Sequence, residues 1–531
     1  MRYGYLAETI RAAEAPLLAA APGLLMQRAA TGLASVLLRE LRTLRGGAYG
    51  ARVLIVAGAG NNGGDALYAG AQLARRGVRV RAWRTGSSVH EEGWAAFRRA
   101  GGVEVDAVGA LAELGSSDTV VDGVLGIGGR GGLREPVALF ARACADAGVP
   151  VVAVDLPSGL DADRGEAEIP ASAGMTREIV PPDLAGVTAA LVRHPGERRD
   201  LGVSTSSTPG VGHPGERRDL GVSTGSTSGA SHFTASLTVT FGGFKFCHLL
   251  EPAASACGRV EVIDIGLDLP TPDLRAWEPV DVAAAWPWPD ATSDKYSRGV
   301  VGIDTGSDGY PGAAVLGVLG AVHAGAGMVR FLGADGAVDL IRAAAPNVVI
   351  GDGRVQARVL GSGWGERPDG RDLVRRAVEE GLPLVLDADA LRQLPDQQLG
   401  DRVLLTPHAG ELARLLGVER GEVQHDPLGS VRAAAARFGA TVLLKGATQY
   451  VCGPAGDISI AVTGPAWTAQ AGSGDVLAGV CGALLAAGLP PARAALAAAS
   501  IQALAAANSP GPHPPQHVAR ALAPVIASLR T

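Results

Sequence analysis

Two glycine-rich runs, each containing an aspartate, constrain the fold of this chain most. Gly58 to Asp65 reads GAGNNGGD, directly after the apolar run Arg52 to Ala57 (RVLIVA). Ala471 to Gly479 reads AGSGDVLAG and opens an apolar stretch reaching Leu489. An apolar run, a glycine turn and then a helical pattern describe a buried parallel strand feeding a helix. Glycine lets the backbone approach a phosphate closely, and a helix start offers free N–H groups and the positive end of a dipole. At 531 residues the chain exceeds what one core usually serves, so each loop is expected in its own α/β domain.

The rest of the sequence supports two such domains. Val78 to Trp83, Thr119 to Val121 and Val149 to Asp155 are further strands of the first, with a helix from about Ala66 to Arg76. This order predicts a doubly wound parallel sheet with ligands at the carboxyl ends of its strands. Between them and the strands Ser236 to Phe241 and Arg259 to Ile265 the pattern breaks. There HPGERRDLGVST occurs at His194 to Thr205 and again at His213 to Thr224. Residues 168–231 are therefore expected to be a disordered insertion. Leu269 to Asp290, rich in proline and tryptophan, is the expected linker over 269–290. A second α/β unit follows over 291–531, marked by strands at Gly299 to Ile303, Pro383 to Asp387, Arg402 to Thr406 and Thr441 to Lys445.

Bulk properties narrow the function. A net charge of −6 and a pI near 6.0 exclude the basic face that a nucleic-acid partner needs. Five scattered cysteines without a CxxC pair give no disulfide framework and point to a reducing, cytoplasmic setting. The apolar stretch Ala15 to Leu38 is interrupted by Pro16, Pro22 and Arg28. Its spacing through Leu24, Leu25, Ala29, Leu33, Val36 and Leu37 predicts an amphipathic helix rather than a membrane span.

The first loop lacks the Lys-Ser/Thr that would make it a P-loop. Two other strand ends accompany it, Asp122 to Gly132 (DGVLGIGGRGG) and Asp155 to Asp161 (DLPSGLD). A lone aspartate at a strand end is more often a helix cap than a catalyst, but three polar ends on one sheet edge suggest a binding site. Asn62, Asp122 and Ser158 supply oxygen donors suited to a hard cation, without selecting one. Together NNGGD, DGVLGIG and DLPSGLDAD resemble the YjeF N-terminal family, the NAD(P)H-hydrate epimerases, over about residues 1–265 less the insertion. The resemblance implies a Rossmann-like domain over 1–268. Asn61, Asn62, Gly63, Gly64 and Asp65, with Gly126, Ile127, Gly128, Gly129, Arg130, Gly131 and Gly132, would hold the hydrated nucleotide. Asn62, Asp122 and Ser158 would hold a potassium ion, and Asp155 would face the substrate. Epimerisation needs a proton shuttle, for which Asp155 and Asp65 are the candidates. The family usually has glycine where this chain has Ala66.

At the second loop, amides of Gly472, Ser473 and Gly474 would form an anion hole and Asp475 would deprotonate a hydroxyl. A bare helix cap would explain GSGD alone, but other signals accompany it. These are KGATQ (Lys445 to Gln449), TPHAGE (Thr406 to Glu411), GSGWG (Gly361 to Gly365), DADAL (Asp387 to Leu391) and Gly312 to Ala314. The two aspartates of DADAL are expected only to cap a helix. The set resembles the YjeF C-terminal family, the ADP-dependent NAD(P)H-hydrate dehydratases, over about residues 276–531. That resemblance implies a ribokinase-like domain in which Ala313, Gly363, His408 and Asp475 contact the hydrated nucleotide. Lys445, Gly446, Ala447, Thr448, Gln449 and Gly474 would contact the adenine nucleotide, with magnesium ion and ADP as co-substrate.

The expected activity is repair of hydrated NADH and NADPH by R/S epimerisation and ADP-dependent dehydration of the S form. The alternative is a ribokinase-superfamily small-molecule kinase, using ATP, with a nonenzymatic N-terminal nucleotide-binding module. NADH hydrate, NADPH hydrate and ADP are the expected partners. A homo-oligomer is expected, with no nucleic acid and no membrane.

Overall fold

The computed structural model describes residues 1–165 and 232–530, so the insertion expected over 168–231 lies outside the described residues. The chain divides into two compact units. The first comprises Ile10–Gly243 and Pro252–Asp268; the second comprises Met1–Thr9, Phe244–Glu251 and Leu269–Thr531.

Among the described residues the first unit holds a seven-stranded parallel sheet. Its spatial order is Val103–Val105, Arg79–Arg84, Arg52–Ala57, Thr119–Gly123, Val151–Val154, Leu237–Phe241 and Arg259–Ile263. Alternation along Arg52–Ala57 explains the layering. Val53, Ile55 and Ala57 pack with helices Leu24–Arg45 and Asn61–Ala74 on one face. Leu54 and Val56 pack with Ala107–Leu114 and Val137–Ala147 on the other. The amphipathic helix expected near the N-terminus is Leu24–Arg45, burying Leu25, Ala29, Leu33, Val36 and Leu37. Leu24 falls outside that stripe and is exposed. No helix among the described residues is long and apolar enough to cross a membrane.

The second unit repeats the strand logic. Val349–Ile350, Met328–Phe331, Val300–Asp304, Ala357–Leu360, Leu384–Leu386, Val403–Leu405 and Thr441–Leu444 run parallel in that spatial order. In both sheets the first strand of the unit's parallel series lies beside the fourth. That is the topological switch point, where loops leave in opposite directions and open a crevice at the carboxyl edge. The second sheet then extends through Tyr450–Cys452, Ile458–Ile460, Leu274–Ala276, Arg2–Tyr5 and Phe244–Lys245.

Residues 269–290, expected as a linker, thus contribute a strand. Leu274–Ala276 pairs with Ile458–Ile460 on one side and Arg2–Tyr5 on the other, giving backbone groups at the sheet margin their partners. After it, helix Pro279–Ala285 starts on a Glu278/Asp281 capping box and buries Val282.

Candidate active sites

In the first unit only Gly58 to Gly60 of the GAGNNGGD run precede the helix; Asn61 to Asp65 form its first turn. Helix Asn61–Ala74 begins five residues ahead of the expected Ala66. The reason is close backbone approach. A methyl group on Gly58 would sit 2.1 Å from the Val124 carbonyl oxygen, and one on Gly63 would sit 2.1 Å from the Gly58 carbonyl oxygen. Only glycine allows this loop to lie against the Asp122–Gly132 loop at the switch point. Ala66, where the related family has glycine, is fully buried and sits against Gly123.

Around Leu125 and Gly126 the polar strand ends converge. Asn62 Nδ2 donates to the Leu125 carbonyl at 3.0 Å, and the Leu125 amide donates to Ser158 Oγ at 2.8 Å. Asp122 has no exposed surface. It accepts from Ser158 Oγ at 2.6 Å, from the Ser158 amide at 2.7 Å and from the Val124 amide at 3.2 Å. Burial still pushes its carboxyl up to about 6, against those hydrogen bonds. A buried carboxylate beside the oxygens of Asn62 and Ser158, with no cationic side chain bonded to it among the described residues, is a donor set that fits a hard cation.

Asp155 lies across Gly126 from Asn62. A methyl on Gly126 would be 3.1 Å from Asn62 Oδ1 and 3.3 Å from Asp155 Oδ2. Asp155 adopts φ +68, a left-handed conformation rare for a residue with a side chain. Its carboxylate accepts from the Ile127 amide at 3.2 Å and from Thr240 Oγ1 at 3.0 Å. Asp65 differs. It is 8% exposed, one carboxylate oxygen has no partner among the described residues, and its pKa is raised well above the ordinary value by burial, then by the fields of Asp155 and Glu14. One carboxyl pushed towards its protonated form near another carrying hydrogen bonds is the pattern of a proton donor facing an acceptor. Of the remaining predicted residues, Gly128, Arg130 and Gly131 are exposed on the outer part of the loop.

In the second unit, Asp475 is the third residue of helix Ser473–Ala486, preceded by Gly472 at φ +90. This helix is seated by glycine contacts. A methyl on Gly479 would be 1.9 Å from the Gly317 carbonyl oxygen, and one on Gly320 would be 2.3 Å from that of Val476. Helices Ser473–Ala486 and Pro311–His323 are thereby locked backbone to backbone. Gly363 and Ala313 meet at the switch point, where a methyl on Gly363 (φ +67) would fall 2.5 Å from Ala313 Cβ. The half-buried Asp475 carboxylate makes no side-chain hydrogen bond among the described residues, and loss of water, then the field of Asp387, raises its pKa to about 6 against the pull of Lys445.

Lys445 follows strand Thr441–Leu444, with Nζ 2.7 Å from Asp387 Oδ1 and 3.3 Å from where a methyl on Gly474 would be. Gly446 and Ala447 are exposed beyond it. Thr448 is buried instead, its hydroxyl accepting from the Glu251 amide at 2.9 Å. The buried Gln449 Oε1 has no partner. His408 caps helix Ala409–Leu416, its Nδ1 accepting from the Gly410 and Glu411 amides at 3.0 and 3.2 Å. That leaves much of its ring exposed.

Asp387 is the functional residue that sequence reasoning missed. It precedes the short helix Ala388–Gln393 but makes no capping bond to it. Its carboxylate turns inward to Lys445, Thr406 and Ser362. The signal available was its place at a strand end beside KGATQ and TPHAGE.

Comparison with known proteins matches two family models to separate stretches of the chain. Residues 23–183 match the family model described as YjeF-related protein N-terminus, and residues 301–524 match that described as NAD(P)H-hydrate dehydratase. The bifunctional NAD(P)H-hydrate repair enzyme Nnr of Mycobacterium leprae is 41% identical over 543 residues, covering 100% of this chain and 99% of that protein. That of Corynebacterium glutamicum is 32% identical over 496 residues, covering 82% and 78%. Among solved structures, the ADP/ATP-dependent NAD(P)H-hydrate dehydratase from Bacillus subtilis is 26% identical with a TM-score of 0.45, covering 48% of this chain and 98% of that one.

Proposed function

Because this chain belongs to the family of bifunctional NAD(P)H-hydrate repair enzymes, we propose that its first unit interconverts the R and S hydrates of NADH and NADPH, and its second unit dehydrates the S hydrate using ADP. The observation that carries the reading is Asp475. A half-buried carboxylate with no side-chain hydrogen bond among the described residues stands at a helix start, with an ammonium group alongside.

Hydroxide is a poor leaving group, so phosphorylating the hydroxyl first makes its departure easy. Asp475 takes the hydroxyl proton as the oxygen attacks the terminal phosphorus of ADP, and AMP leaves. The amide of Gly474, with Lys445, holds the charge on the transferred group. Breaking the carbon–oxygen bond then expels phosphate, and loss of a ring proton restores the dihydropyridine. Magnesium, when bound, neutralises phosphate charge. The ion would arrive bound to the nucleotide's own phosphates, so the site need supply no dedicated carboxylate cage for it.

In the first unit Asp65, whose burial favours the protonated form, protonates the departing hydroxyl, which leaves as water. Water returns to the other face of the ring and gives its proton to Asp155. Potassium held by Asn62, Asp122 and Ser158 would offset buried negative charge and fix the Leu125–Gly126 turn. Gly126 to Gly132 and Asn61 to Asp65 bind the nucleotide around this pair. The site chemistry accounts for NADH hydrate, NADPH hydrate and ADP as partners. A cytoplasmic homo-oligomer is part of the same proposal.

The test is direct. With ADP and hydrated NADH, the chain is expected to restore absorbance at the dihydronicotinamide band. No recovery, together with phosphorylation of a sugar or vitamin alcohol, would overturn the reading.

A further inference from the structure

Asp387 lies outside the roles assigned above, yet it is among the most constrained side chains of the second unit. It is 1% exposed. Three donors reach its carboxylate: Lys445 Nζ at 2.7 Å and Thr406 Oγ1 at 2.8 Å on Oδ1, and Ser362 Oγ at 2.8 Å on Oδ2. Each comes from a different strand end. Ser362 follows Ala357–Leu360, Thr406 follows Val403–Leu405, and Lys445 follows Thr441–Leu444. Ser362 also neighbours Gly363, and Thr406 stands two residues before His408, so one carboxylate ties together the loops that carry both proposed binding sets. Its own backbone is pinned as well. Its amide donates to the Leu360 carbonyl at 3.0 Å, and Gly361 (φ +113) leaves no room for a methyl, which would sit 2.2 Å from the Asp387 carbonyl oxygen.

We propose that Asp387 is the positioning residue of phosphoryl transfer: it anchors the Lys445 ammonium beside the Gly472–Asp475 loop and sets the charge around Asp475. This rests on the dehydratase reading of the second unit. Without the anchor, the flexible lysine stem would carry its charge away from the transferred phosphate, or bond directly to Asp475 and block the base. With it, Lys445 is already paired and its remaining N–H donors stay available to the nucleotide.

The fields agree with the geometry. The charged groups acting on Asp475 are Asp387, which raises its pKa, and Lys445, which lowers it. Glu411, Asp387 and Asp475 together keep Lys445 protonated in spite of its burial. Cys481, on the same helix as Asp475, is a thiol pushed further from ionisation by burial first and then by Asp387.

The opposite signs make the role testable with the full chain, S hydrate and ADP. Asp387→Asn keeps the shape but removes the charge. Turnover is expected to fall roughly tenfold or more, and the acidic limb of the pH–rate profile to move to lower pH. Lys445→Met is expected to move that limb to higher pH and to raise KM for ADP. A merely structural role would lower rates without shifting the limbs in opposite directions. Unshifted limbs, or both shifted the same way, would overturn the proposal. Where Asp387→Asn does not fold, an unshifted limb in Lys445→Met does the same. If the wild-type chain shows no ADP-dependent dehydration, the functional reading fails on its own. Calorimetry of ADP binding then decides the role of Asp387, which is overturned if wild type and both variants bind ADP equally.

Discussion

Replacing Gly58 with alanine tests whether the first loop works by backbone approach. The new methyl would lie 2.1 Å from the Val124 carbonyl oxygen and 2.9 Å from its carbonyl carbon. That oxygen contact is about 1 Å short of an ordinary one. Both partners are backbone, so no side chain can swing away. Overpacking costs of about 1–3 kcal/mol apply, and the rigid neighbour places this case near ~3 kcal/mol. For a unit of this size that is roughly 6–12 °C in melting temperature. A displacement of about 1 Å between the two loops also separates Asn62 from Gly126 and Asp155, worth on the order of a hundredfold in rate. The assay follows conversion of pure R hydrate by chiral separation. Dehydration of S hydrate by the same preparation reports on the second unit, which holds no part of this loop. A Gly58→Ala variant that epimerises at the wild-type rate would refute the argument that the two loops must touch.

Four further outcomes follow from the site chemistry. Asp475, near 6 and needed as its anion, should give dehydration that falls about tenfold between neutral pH and pH ~5, whereas an ordinary aspartate would give a nearly flat profile. Asp475→Ala should abolish dehydration and leave epimerisation, and near-normal dehydration removes the residue from its role. Asp65→Asn should abolish epimerisation while melting no lower than wild type. The folded pKa of Asp65 is raised, so its burial costs stability as pH rises above the unfolded value, and the variant's advantage should grow with pH. A wild-type melting curve that does not fall relative to the variant between pH ~5 and 8 would contradict this. Exchanging potassium for lithium should slow epimerisation only. Asp122→Asn should remove that dependence, and a cation effect surviving in Asp122→Asn would exclude the Asn62–Asp122–Ser158 set.

Much of this was legible in the sequence because strand ends announce themselves. RVLIVA and TVLL are apolar runs stopped by glycine or a polar residue, and they sit within one residue of the strands found. Short strands hide: Val103–Val105 and Val349–Ile350 carry too few residues to show a period. The start of helix Asn61–Ala74 was misplaced because asparagine and glycine are poor helix formers, and tertiary backbone contacts override that preference here. Asp387 was hidden by ambiguity. An aspartate before a helix is ordinarily a cap, and only coordinates reveal that its carboxylate faces Lys445 instead. The segment around Leu274–Ala276 looked like a linker because prolines dominate it, yet three residues suffice to join a sheet margin.

The two acid–base sites are proposed to act in sequence on one substrate. Supplying pure R hydrate and ADP to the intact chain, and following NADH formation against the spontaneous epimerisation rate, tests this. Full conversion to NADH is expected, faster than spontaneous epimerisation permits, with AMP and phosphate released in equal amounts. NADH appearing no faster than spontaneous epimerisation would contradict it.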